Sequence, residues 1–146
     1  LPDGRMLLAG GIYNDFAAAQ LTASGTLDAS FGQGGLMTHA VSATNWDNAT
    51  AVVRQADGKF VLGGWAYSGN SSSGDFAAIR LLANGALDTG FGNGGVAIHA
   101  GAANGRNDSA RGMVLQADER ISTVRAILAG ELGNGANDFA LMRLWL

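Results

Sequence analysis

The sequence has no cysteine, one proline and one lysine, Lys59, in 146 residues. Without cysteine there is no disulfide framework, no thiolate zinc site and no thiol nucleophile. Nine lysines and arginines against twelve acids leave a net charge of −3. A nucleic-acid surface needs clustered basic side chains, so that class of partner is excluded. Charged residues are 14% of the chain and hydrophobic ones 47%, the opposite of the composition that keeps a chain disordered. Apolar runs fall far short of the roughly 18 residues that span a bilayer, so no membrane insertion is expected. The opening LPDGR shows neither an initiator methionine nor the charged-then-apolar pattern of a secretory leader.

Glycine, by contrast, is abundant: 23 of 146 residues, about twice its usual share. It marks an internal repeat. Residues 15–40 (DFAAAQLTASGTLDASFGQGGLMTHA) align without a gap on 75–100 (DFAAIRLLANGALDTGFGNGGVAIHA), with fifteen of 26 positions identical. A second block recurs as Leu1–Gly10, Gln55–Gly64 and, interrupted, Gln116–Gly130. Such self-similarity at a period near 60 residues is the mark of a repeat architecture. The repeats are 1–54, 55–115 and a partial, divergent 116–146. The chain is expected to be a fragment of a longer repeat protein. Copies differ in length where loops belong, as in the polar Ser68–Ser73 insert.

Four strand-like runs bounded by turn signals lie in the second copy: Lys59–Tyr67, Phe76–Ala83, Val96–Ala100 and Ala110–Gln116. No segment holds a helical apolar period over ten or more residues. The alanine-rich Phe76–Ala83 is too short to nucleate a helix unaided and reads as a strand. Asp3-Gly4 and Asp57-Gly58 suggest type I′ hairpin turns. The small, apolar Leu8-Ala9-Gly10 and Leu62-Gly63-Gly64 suit an inner strand squeezed between neighbouring sheets. The densest motif is Leu27-Asp28-x-x-Phe31-Gly32-x-Gly34-Gly35, repeated as Leu87-Asp88-x-x-Phe91-Gly92-x-Gly94-Gly95. It needs no ligand: the aspartate closes an Asx-turn, the phenylalanine is a buried anchor, and the glycines allow positive φ. Four strands per 60 residues predict an all-β fold, a partial β-propeller of about two and a half four-stranded antiparallel blades.

Taken together, Gln55–Gly64, Asp75–Arg80 and Gly85–Gly95 resemble the delta-60 repeat family of bacterial proteins. The resemblance spans essentially the whole chain. Leu1 and Gln20 stand in the first copy where Gln and Arg stand in the second, and the third copy replaces Asp-Gly by Asp118-Glu119 and gains five residues. Glu119–Val124 is therefore expected to be the least ordered hairpin. The resemblance implies a large, multi-repeat, exported or surface-attached bacterial protein forming propellers, with no assigned activity.

The repeat also weighs against catalysis. All ten aspartates have counterparts (Asp3/Asp57/Asp118, Asp15/Asp75/Asp138, Asp28/Asp88, Asp47/Asp108), and so do His39 and His99. An active site needs groups whose environments differ, whereas repeated residues do the same structural job in each copy. Glu119 and Glu131 are the unrepeated acids and read as solvated loop residues. There is no G-x-S-x-G elbow and no phosphate-binding loop. His39 and His99, in short apolar strands, read as structural histidines satisfied by backbone carbonyls. Gly133–Phe139 faintly resembles a calcium-binding nonapeptide but lacks the tandem turns that share an ion. Arg80 and Arg143 read as ion-pairing across blades. No catalytic residue, metal site or cofactor is assigned, and no ligand-binding residue is identified.

The expected function is a non-catalytic propeller module of an exported or surface bacterial protein, a scaffold or binding platform located outside the cell. Its partners would be further blades of the same chain, or copies of itself joined through open blade faces. The alternatives are a propeller enzyme whose site lies in other blades, and a calcium-stabilised repeat.

Overall fold

The computed structural model describes residues 1–42, 46–67, 74–99, 108–118, 123–132 and 138–146. The described residues form ten strands and no helix: β1 (Met6–Ile12), β2 (Asp15–Leu21), β3 (Leu36–His39), β4 (Asp47–Arg54), β5 (Phe60–Tyr67), β6 (Gly74–Leu81), β7 (Val96–His99), β8 (Ser109–Asp118), β9 (Thr123–Leu132) and β10 (Asp138–Trp145). They make three antiparallel sheets, β1-β2-β3, β4-β5-β6-β7 and β8-β9-β10. β4 packs on β1 and β2, and β8 on β4, β5 and β6. The sheets thus stack face to face, converging at the β4 and β8 edges.

Two expectations are corrected here. The run Ala110–Gln116, placed last in the second repeat, belongs to β8 and opens the third sheet. The second sheet spans 47–99, out of phase with the sequence repeat 55–115. Nor do Leu8–Gly10 and Leu62–Gly64 lie on the inner strand: they sit in β1 and β5, and β5 is second in its sheet. In β5 the small size answers to neighbours, whereas a Cβ on Gly10 of β1 would meet nothing within 4 Å. A Cβ on Gly64 would strike the Asn48 carbonyl oxygen, and one on Gly63 would stand 2.8 Å from Leu128 Cδ2 of the third sheet.

The core is two layers. Phe16, Ala18, Phe31 and Met37 of the first sheet meet Phe60, Leu62, Ala77, Ile79 and Leu81 of the second. Val61, Phe76, Ala78 and Phe91 then meet Ala110, Ala126, Leu128 and Met142 of the third. Along β5 and β6 successive side chains alternate between the two layers, because adjacent residues point to opposite faces. Every residue of β6 is buried, which is why Phe76–Ile79 reads as an unbroken apolar run instead of alternating, with the charged Asp75 and Arg80 confined to the strand's two ends. Each fully buried large side chain contributes about 1.5–3 kcal/mol.

The turns are tight. At Asp57-Gly58 only the glycine has positive φ (+89°), and its N–H donates to Gln55 O at 3.0 Å while Gln55 N–H donates to Lys59 O at 2.8 Å. That is a three-residue loop closed by a left-handed glycine, not the expected type I′ turn; Asp3-Gly4 likewise has positive φ only at Gly4. Two-residue turns with both φ positive occur at Gly34-Gly35, Gly94-Gly95 and, unexpectedly, at Tyr13-Asn14 (+51° and +71°). The Ser68–Ser73 insert, residues 119–122 of the irregular hairpin and residues 133–137 of the calcium-like stretch lie outside the described residues.

Candidate functional site

The stacked sheets bring polar groups together at the two opposite ends of β1, β2, β5 and β6. At one end the repeated motif forms an ionic knot. Asp28 Oδ1 accepts from Ser30 N–H (3.1 Å) and Ser30 Oγ (2.6 Å), and Asp88 Oδ1 accepts from Gly90 N–H (3.1 Å). These are the predicted Asx-turns. In the second copy, Arg80 Nε (2.8 Å) and Lys59 Nζ (3.3 Å) both reach Asp88 Oδ2. In the first, Gln20 replaces Arg80, and Arg5 alone bridges Asp3 (2.7 Å), Gln20 (3.0 Å) and Asp28 (3.1 Å). Hydrogen bonds from Ser30 and then Arg5 hold the Asp28 carboxyl below its ordinary pKa. Burial pushes Asp88 up, but the Gly90 N–H, Lys59 and Arg80 outweigh it and hold it low.

Arg80 therefore pairs within its own sheet, not across sheets as expected. Its strand ends beside the 82–86 loop, which returns Asp88 to it, and its guanidinium lies 5.0 Å from the Phe91 ring centroid. Paired around the motif aspartate in both copies, these groups hold loops against strands. Phe31, fully buried, stands edge-on to Phe60 at 6.3 Å, and Gly32 N–H donates to Asn84 O at 2.8 Å. The motif thus fastens the first sheet to the second.

Clefts between neighbouring sheets open at the other end. The first, of about 280 Å³, is lined by Gly11, Tyr13, Asn14, Trp46, Asp47, Asn48 and Trp65. Its counterpart, also about 280 Å³, is lined by Trp65, Tyr67, Gly74, Asp108, Ser109 and Arg111. In both, the aspartate that opens the inner strand anchors a neighbouring hairpin: Asp47 N–H donates to Asn14 O (2.7 Å), and Asp108 N–H to Gly74 O (2.6 Å). Asp47 is 2% exposed, and its Oδ2 accepts from Val41 N–H (2.8 Å) and Ser42 N–H (2.6 Å). Its Oδ1 has no hydrogen-bond partner. Burial raises its pKa; the Ser42, Val41 and Tyr67 N–H groups pull it down, and the charge of Asp15 adds to the rise.

β4 carries a bulge between Ala49 and Ala51, and β8 one between Ala110 and Gly112. The bulged Thr50 donates its hydroxyl to Gly63 O (3.2 Å) and Ala110 O (2.7 Å), tying the second sheet to the third. Arg111, its counterpart, is exposed and lies 3.6 Å from Glu131. Nothing in the sequence reading singled out Thr50. The signal available for Tyr13-Asn14 was its position: two residues between apolar strands, one of them an asparagine tolerant of positive φ.

Other candidates stay apart. His39 and His99 stand on β3 and β7, the strands at the far edges of their sheets, half-buried and exposed respectively. His39 borders a wider groove of about 630 Å³ between β3 and the 84–87 loop, with no acid among the described residues that line it. Arg143 is exposed on β10, and Glu119 lies outside the described residues. Among the described residues no three His, Asp or Glu side chains cluster as a metal would require.

Residues 1–31 and 55–91 match the model of a family described as a domain of unknown function (DUF5122) beta-propeller. The fold is a partial β-propeller. Each matched stretch ends on the anchoring phenylalanine of the repeated motif, Phe31 or Phe91, and so covers the hairpin and the first part of the motif, up to the glycine turn, in the first two blades. The divergent third blade is outside the match. No curated protein matches the chain.

Proposed function

We propose that this chain is a non-catalytic module, of the delta-60 kind, from an exported or surface-attached bacterial protein, serving as scaffold and binding platform. Each of its two open blade faces receives another blade of the same repeat, from a longer chain or from a second copy. One observation carries this reading: the open faces are position-for-position counterparts of faces that are covered inside the chain. Met6 and Leu8, 44% and 50% exposed, occupy the places of Phe60 and Leu62, which the first blade buries. Leu141, 63% exposed, occupies the place of Ala78, which the third blade buries. Apolar faces of this size favour association. The absence of catalysis is supported by the ionic knot, where the motif aspartate is paired with a basic side chain in both copies, Asp28 with Arg5 and Asp88 with Arg80 and Lys59.

Sedimentation of the chain over rising concentration tests the reading. It should self-associate, and Leu8→Glu or Leu141→Glu should suppress the association without lowering the thermal midpoint. A monomer at every concentration, indifferent to both substitutions, would overturn it.

A further inference from the structure

We propose that the cleft between the first and second blades binds a neutral saccharide unit, with Tyr13 and Trp46 as stacking faces and Asn14 and Asn48 as hydrogen-bonding amides. The proposal rests on the platform reading and names what the platform takes. Tyr13 is its strongest mark. Tyr13 takes φ of +51° in the two-residue turn between β1 and β2, a place that turn chemistry gives to asparagine or glycine, and its side chain is 93% exposed. The turn needs the positive φ but not the ring, so a tyrosine held out to solvent there points to a task outside the fold. Trp46, across the cleft, is 62% exposed, another large aromatic presented to solvent.

The amides complete the surface. A Cβ on Gly11 would come within 2.5 Å of Asn48 Oδ1, so glycine leaves that amide its place in the cleft. In the second cleft Trp65 stands at the position of Gly11, and Arg111 adds a charge, so the two are chemically different sites. Among the described residues no lysine, arginine or histidine lines the first cleft, which disfavours an anion. Asp47 lies beneath it, sealed from solvent, so an ammonium group has no carboxylate to touch. What fits is an uncharged ligand with an apolar C–H face for the electron-rich rings and hydroxyls for the amides. At about 280 Å³ the cleft suits one sugar ring.

Calorimetric titration of the 146-residue chain with cellohexaose, laminarihexaose, maltohexaose and chitohexaose tests this, with choline as a cationic probe. At least one oligosaccharide should bind and choline should not. Tyr13→Asn should weaken binding at least tenfold while raising the thermal midpoint, because asparagine accepts positive φ. Trp46→Ala should weaken binding with the midpoint unchanged. The proposal is overturned by no heat from any oligosaccharide up to about 10 mM, by choline binding in their place, or by binding that survives both substitutions. Self-association is read separately by sedimentation, so a failed titration with intact association removes the saccharide site and leaves blade stacking in place.

Discussion

The second blade and the first share much of their sequence but not their surroundings. Leu62 is fully buried and Leu8 half exposed; Phe60 is 2% exposed and Met6 44%. The difference comes from neighbours: the second blade has a sheet on each face, the first on one. Burial in a stacked repeat belongs to the interface, and a residue's contribution is set by whether the next unit is present.

Substitutions can break this comparison directly. Phe31→Ala should have the largest effect, about 3–5 kcal/mol, because it empties the pocket beside Phe60 and frees the motif from the second blade; chemical denaturation measures it. Leu62→Ala should follow at about 2–5 kcal/mol, whereas Leu8→Ala in the dilute chain should stay within about 0.5 kcal/mol. Equal losses at the two leucines would show that the first blade's outer face is covered after all. Thr50→Val should lose about 0.5–1.5 kcal/mol through the missing hydrogen bond to Ala110, and denaturant melts of the third-blade strands should show it first.

The smallest effects are pH-dependent and opposite in sign at the two ends of the blades. The folded pKa of Asp47 is raised by burial, so the folded state holds its proton more tightly and stability falls as pH rises above the ordinary aspartate value of 3.8. Asp47→Asn should therefore gain on the parent chain as pH rises through that window. The folded pKa of Asp88 is lowered, so its contribution is present above 3.8 and lost as pH falls. Asp88→Asn should lose ground to the parent as pH rises. Thermal midpoints from pH 3 to 7 check both.

Much of this fold was legible because its signals are local. The gapless repeat, the strands of the second copy and the Asx-turn at Asp28 and Asp88 depend on residues a few positions apart. What could not be read was the choice of partner. The pattern of Ala110–Gln116 says strand but not which sheet, and Arg80 could have met a neighbouring blade had the 82–86 loop not returned Asp88 to it. Gly63 and Gly64 looked small for a channel, and are small because Leu128 and the Asn48 carbonyl approach them. The candidate cleft was hidden for the same reason: Tyr13, Trp46 and Asn48 converge only once β4 packs on β1.

Hydrogen exchange, followed by mass spectrometry at concentrations low enough to keep the chain monomeric, tests the stacking most directly. Stacked blades predict that peptides covering β5 and β6 exchange slowest, with β1 and β10 opening earlier because each belongs to a blade covered on one face. Protection as strong in β1 and β10 as in β5 and β6, or strongest in β3 and β7, would contradict it.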